Sequence, residues 1–346
     1  MNAKIKQYNS LDLMKFISAI LIIVLHTSPF QSYNALISFG LRNVVTIIAV
    51  PFFFCTSGFL LFKKLSVLSQ DEKGKYFKHY IKRLCIMYGL WSLVYFPFVI
   101  YNWTKDGFSV MSVLQYIKRF FFEGSYSTIW FLPALIVSAT VCYFLHKKLS
   151  FGKIVLTALP FYAIACLMTN HYGITAKIPV LGAMMNAYYS FFDSVKNGIL
   201  FGFVFVALGG AMSEFKETKS LAYRVFGCII SGVLLTAESV LPVVLKYKQF
   251  GCDTKLFLLP FTFFLMAFLL RIDLKDSKVY IYMRKISLML FLSQRIFISL
   301  SEIFLADTIF VKNSMLYFVM ILGSTWLFSD LFIRAAKKFK FLKHFC

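Results

Sequence analysis

Apolar runs about as long as a membrane crossing recur along the whole sequence, separated by short polar stretches. A crossing helix needs about 20 mostly apolar residues. Ten such runs can be placed, at about 13–31, 43–62, 84–101, 129–146, 152–169, 197–213, 225–245, 256–270, 286–305 and 314–333. With 59% hydrophobic residues, 15% charged residues and 42 phenylalanines, the chain carries more apolar side chains than a soluble core buries. The expected fold class is all-α: a polytopic integral membrane helix bundle of about ten transmembrane helices, forming one domain over residues 1–346. A further apolar run, Ile178 to Phe192, is left open as re-entrant, interfacial or an eleventh span.

Charge sets the expected orientation. The formal net charge is +22, from 37 Lys and Arg against 15 Asp and Glu. The cations do not gather into a stripe, as a nucleic-acid surface would require; they lie in short runs between apolar segments, so no nucleic-acid partner is expected. Ten spans put the basic runs 63–83, 271–285 and 334–343 on the same side as Lys4 and Lys6, whereas an eleventh span at 178–192 would throw the last two across the membrane. Cytoplasmic loops are the ones enriched in Lys and Arg. Ten spans with both termini cytoplasmic follow. The start of the chain is read as a retained first span, because the residues after Leu25 lack the small-residue pattern of a cleavage site.

The seven cysteines form no CxxC or Cys/His cluster, and five of them lie within apolar runs. Neither a disulfide framework nor a metal site is expected. The loops at 102–128 and 170–196 are too short for an additional catalytic domain, and no internal repeat or linker stands out, so any chemistry belongs to the helices.

Ionisable residues inside spans are costly, and each is a candidate site. They are Asp12, Lys15, His26, Glu238, Arg295, Glu302 and Asp330. Glu238, Glu302 and Asp330 lie near span ends, where they are expected to reach water. Arg295 is more central and needs an acidic or carbonyl partner. His26 is expected deep in the first span. Eleven residues separate it from Lys15, which is three turns, one helix face and about 16 Å. A cation at the mouth and an imidazole further in suit a long donor with an anionic head and a reactive tail, and imidazole is the natural base for a hydroxyl proton. A structural hydrogen-bonding role for His26 is the alternative. Ser57-Gly58 is either a packing pair or a nucleophile site, and it lacks the G-x-S-x-G elbow. Trp130 suits an interfacial belt or an acceptor site. His79, His146, His171 and His344 are assigned no role.

Several motifs, in order, resemble membrane acyltransferase family 3. The first is Asp12, two residues, Lys15, then ten residues and His26. The second is Pro51 followed by aromatics and Ser57-Gly58-Phe59. Then come Tyr80-Ile81-Lys82-Arg83 with Trp91 and Pro97, Ile129-Trp130-Phe131-Leu132-Pro133, and Asn197-Gly198 with Gly209-Gly210. The resemblance runs from residue 8 to about 213. It implies transfer of an acyl group, usually acetyl, from cytoplasmic acyl-CoA to a hydroxyl of an envelope or exported polysaccharide or a lipid-linked saccharide, in a bacterial plasma membrane. His26 then matches the catalytic histidine, and Lys15, Lys82 and Arg83 match donor-binding cations. Asp12, Ser57, Trp130, Asn197 and Arg295 match supporting or acceptor-side positions. The chain departs from the family at Lys15, usually Arg, at Thr128, commonly His, and at Gln294, frequently His. Similar helices are fused to racemase domains in vancomycin-type serine racemases, which implies a second reading: an amino-acid transporter or transport-like membrane domain. No racemase domain is expected within the 346 residues.

Overall fold

The computed structural model describes residues 7–215 and 220–345; Lys4 and Lys6, used above for orientation, lie outside them. Among the described residues every regular element is helical. Eight helices are long and apolar enough to cross a membrane: α1 (Asn9–Thr27), α2 (Ala35–Ser66), α3 (Gln70–Asp106), α5 (Ser127–His146), α6 (Phe151–Met168), α9 (Leu221–Val244), α11 (Lys278–Phe304) and α12 (Ser314–Lys338). Two shorter apolar helices, α8 (Gly198–Glu214) and α10 (Leu258–Arg271), complete the set of expected runs. The protein is an integral membrane protein by the length, number and composition of these helices.

Two helices of 13 residues are too short to cross. α4 (Val110–Phe122) lies where only a loop was expected. Ser109 starts it by accepting the Ser112 amide at 3.1 Å. Val110, Met111, Leu114, Ile117 and Phe121 are all exposed along one stripe, the pattern of a helix lying in a membrane interface. α7 (Pro179–Phe191), within the ambiguous run, has 13 residues, about 20 Å of helix, which is short of a membrane core. The expected basic loop 63–83 is also mostly helix. Only 67–69 separate α2 from α3, and the Ser69 amide and hydroxyl reach the Glu72 carboxylate at 3.1 and 2.8 Å, half of a capping box.

The chain divides into two compact units. The first comprises the stretch up to Leu11, Val50–Lys78 and Ala134–Asp276. Here α2 and α8 pack backbone against backbone. A Cβ at Gly58 would collide with the carbonyl of Val206, and one at Gly209 with that of Cys55, so small residues set the crossing. Tyr162, fully buried, donates to the Lys255 carbonyl at 2.7 Å. Glu238 is 6% exposed, contrary to the expectation that it reaches water. Its carboxylate accepts the Leu256 and Phe257 amides at 2.8 and 2.9 Å, capping the start of α10, and pairs with His171 Nε2 at 3.0 Å.

The second unit comprises Asp12–Ala49, His79–Pro133 and Ser277–Cys346. Ile23 of α1, Ile298 of α11 and Ile321 of α12 form a buried core cluster. Tyr95 of α3 is fully buried, stacks on Tyr126 with ring centroids 4.8 Å apart and donates to the Leu292 carbonyl at 2.5 Å. Trp91 donates to the Phe345 carbonyl at 3.2 Å, which ties the C-terminal turn to α3.

Candidate functional site

Most of the residues singled out in the sequence fall in the second unit, on α1, α3, α11 and the turn that opens α5. α1 starts its polar work early. Asp12 is 3% exposed, and its carboxylate is held from two sides. Lys15 Nζ lies 3.1 Å from Oδ1, and Arg284 of α11 reaches Oδ2 through Nε at 2.8 Å and Nη2 at 2.5 Å. Two cations around one carboxylate leave a net positive charge. The Arg284 side chain remains 41% exposed, so part of its guanidinium fork stays open to another anion. Arg284 was not anticipated. Its setting, between Lys278 and Lys285, reads as a solvated basic run. The available signal was Ser277, which accepts the Val279 amide at 3.3 Å and starts α11 eight residues earlier than expected, bringing Arg284 into the helix.

His26 lies in the last turn of α1, which ends at Thr27, and is half-buried. It therefore sits at the end of the helix rather than deep within it. Chain direction puts α1 and α11 side by side and parallel: Asp12 meets Arg284 near their starts, and Ile23 meets Ile298 further on. His26 lies one turn beyond Ile23 on α1. The same eleven-residue interval that separates Lys15 from His26 separates Arg284 from Arg295, again about 16 Å along the axis. The expected partner of Arg295 is Glu302, two turns on, with Nη2 to Oε2 at 3.2 Å. Along the α1–α11 seam, Asp12, Lys15 and Arg284 cluster near the helix starts, Ile23 and Ile298 share a buried core further on, and Arg295 pairs with Glu302 on α11, while His26 ends α1.

Along the Arg295–Glu302 stretch of α11 stand hydroxyl and aromatic groups. Tyr126 and Ser299 share a hydrogen bond of 2.8 Å, and the Ser301 hydroxyl donates to Tyr317 at 3.2 Å. Thr128 and Gln294, at positions where the resembled family commonly has histidine, are 3% and 0% exposed. Trp130 is half-buried. Its backbone is crossed closely by Gly124, whose φ of +95° and lack of a Cβ permit the turn after α4.

The remaining site residues separate from this group. Lys82 and Arg83 are exposed on α3 and join no ion pair among the described residues. Ser57 and Asn197 belong to the first unit. Ser57 is half-buried beside Gly58, whose close approach to Val206 is a packing contact. Asn197 caps α8: its Oδ1 accepts the Ile199 and Leu200 amides, both at 2.9 Å, and its Nδ2 donates to Tyr188 at 3.1 Å. Among the described residues no group of His, Cys, Asp and Glu has a metal-binding arrangement.

Comparison with known proteins bears on this arrangement. An amino-acid racemase of Enterococcus faecalis is 33% identical over 242 residues, 68% of this chain and 33% of that protein. A second amino-acid racemase of the same organism is 24% identical over 338 residues, 97% of this chain and 47% of its own length. A serine/alanine racemase of Enterococcus gallinarum is 24% identical over 334 residues, 96% and 47% respectively. The chain therefore spans between a third and about half of the length of these relatives. No solved structure matches it. A model of the acyltransferase domain matches residues 8–334, from just before Asp12 to Arg334, and so covers α1, α11 and the seam between them. On that match the chain belongs to the acyltransferase domain family, the membrane acyltransferase family 3 whose motifs its first helices resemble.

Proposed function

We propose that this protein is a membrane O-acyltransferase that moves an acyl group, most simply acetyl, from cytoplasmic acyl-CoA to a hydroxyl of an envelope or exported polysaccharide or its lipid-linked precursor. The observation that carries the reading is the cluster of Asp12, Lys15 and Arg284 across α1 and α11, with His26 eleven residues beyond Lys15 and Arg295 eleven beyond Arg284. The phosphates of the donor meet Lys15 and Arg284, where a guanidinium fork offers paired donors to phosphate oxygens. Exposed Lys82 and Arg83 add to that cationic mouth. The extended arm of the donor follows the seam toward its thioester end.

At that end His26 takes the proton of the acceptor hydroxyl as its oxygen attacks the thioester carbonyl. The carbon–sulfur bond then breaks, and the imidazolium returns the proton to the departing coenzyme A thiolate. The ester and free coenzyme A balance the reaction, and no metal is needed. Base catalysis of this kind is worth about 10²–10⁴-fold. Arg295, neutralised in part by Glu302, supplies positive charge beside the developing oxyanion. Trp130 and Tyr126 line the acceptor side. In this account ten helices cross a bacterial plasma membrane, both chain ends are cytoplasmic, and the whole chain works as one domain.

Protein reconstituted in liposomes with acetyl-CoA is expected to release coenzyme A, followed by chromatography, and faster when a glycan acceptor is added. One relative is named a serine/alanine racemase, and the second reading is that this membrane bundle moves such a small amino acid. Uptake of radiolabelled serine with neither acetyl-CoA binding nor coenzyme A release would replace the proposal with transport.

A further inference from the structure

Along α12 and the start of α11 lies an open groove of about 650 Å³, one wall of which, Leu322, packs against the Ile23–Ile298–Ile321 cluster. Its walls are Val319, Leu322, Trp326 and Leu327 of α12 and Tyr282 of α11, and its polar end is Asp330 and Arg334. Gly323 is among the lining residues, and a Cβ there would meet nothing within 4 Å, so the groove is open beside it. The lining residues recur every three or four positions along one stripe of α12. The volume falls in the range of small-ligand pockets, roughly 300–1,000 Å³. The groove shares no residue with the α1–α11 seam, and what it binds is independent of the acyl-transfer reading.

Both the depth and the charge of the groove select its occupant. α12 begins at Ser314, and Arg334 lies twenty residues on. That is about 30 Å of helix, the thickness of a hydrocarbon core, which sets Arg334 at headgroup level. Asp330 and Arg334 pair at 2.7 Å, so the polar end presents one negative and one positive group side by side. The Tyr282 hydroxyl lies beside the Trp326 indole and the Asp330 carboxylate, and Phe16 packs edge-on against that indole at 5.3 Å. An anionic headgroup alone would satisfy Arg334 and oppose Asp330. A headgroup with both a phosphate and a primary ammonium satisfies both. We propose that this groove holds one membrane phospholipid of the ethanolamine type, with an acyl chain over Gly323, the phosphate on Arg334 and the ammonium on Asp330.

Three lipids separate the chemistry: phosphatidylethanolamine, phosphatidylcholine, whose quaternary ammonium donates no hydrogen bond, and phosphatidylglycerol, which carries no cation. Native mass spectrometry of the full chain released from micelles containing each lipid is expected to show one retained phosphatidylethanolamine, preferred about tenfold over the other two. Gly323→Leu puts a branched side chain where a Cβ meets nothing within 4 Å and is expected to weaken the retention about tenfold, while Asp330→Asn reduces the preference over phosphatidylglycerol. Thermal unfolding of each variant confirms that it folds. Equal retention of all three lipids, retention unchanged in Gly323→Leu, or a dimer that excludes lipid from this face would overturn the assignment.

Discussion

Asp12 is a carboxylate with two cations around it and almost no water. Breaking a fully buried ion pair by removing one partner costs about 3–5 kcal/mol. Arg284 is 41% exposed, so screening reduces that figure, and Asp12→Ala is expected to cost roughly 1–3 kcal/mol in thermal unfolding of the solubilised protein. Arg284→Gln spares the packing and removes the fork; it is expected to raise the acetyl-CoA KM about tenfold with little change in kcat. Lys255, in the turn before α10, is another buried charge. Burial lowers its amine pKa below 10.5, outweighing attraction from Cys252, Glu238 and Asp253. The folded chain then binds fewer protons than the unfolded chain between the lowered value and 10.5, so stability rises with pH across that window. Lys255→Met is expected to flatten this slope in unfolding curves recorded against pH. Lys15 and His26 are legible in the sequence because their spacing is a helix repeat. Arg284 meets Asp12 only through a tertiary contact between α1 and α11, which no local pattern announces.

Helix existence follows from apolar run length, and all ten expected runs are helices. The ends do not follow so simply. α3 extends to 37 residues because a helix can continue past the membrane wherever a cap such as Ser69–Glu72 starts it in water. α4 is missed because its apolar positions, three or four apart, look in a linear count like a mixed loop; their meaning appears only on a helix surface. Asn197, expected on the acceptor side, is satisfied as the cap of α8, and Asn197→Ala is expected to cost about 0.5–2 kcal/mol. At the α2–α8 crossing, Gly209→Ala forces two backbones apart and is expected to cost about 1–3 kcal/mol, whereas Gly40→Ala, with open space around it, serves as the control. Parallel unfolding measurements on the two variants give the difference directly.

For the whole molecule, the excess of Lys and Arg at 63–83, 271–285 and 334–343 is the basis of the orientation proposed under the positive-inside rule. Single-cysteine reporters at 147–150 and at 245–257 are expected to label from opposite sides of sealed vesicles, the first from the cytoplasmic side; labelling from one side would remove a span between them. The family match over residues 8–334 gives the class of chemistry, and the proposal places it along the α1–α11 seam. The measurement that tests this account most directly is the rate of coenzyme A release from acetyl-CoA by reconstituted wild-type protein and by His26→Gln, with acetyl-CoA binding and unfolding temperature recorded on the same samples. The account expects a fall of about 10²–10⁴-fold with binding and unfolding unchanged. A His26→Gln variant that releases coenzyme A at the wild-type rate would contradict it.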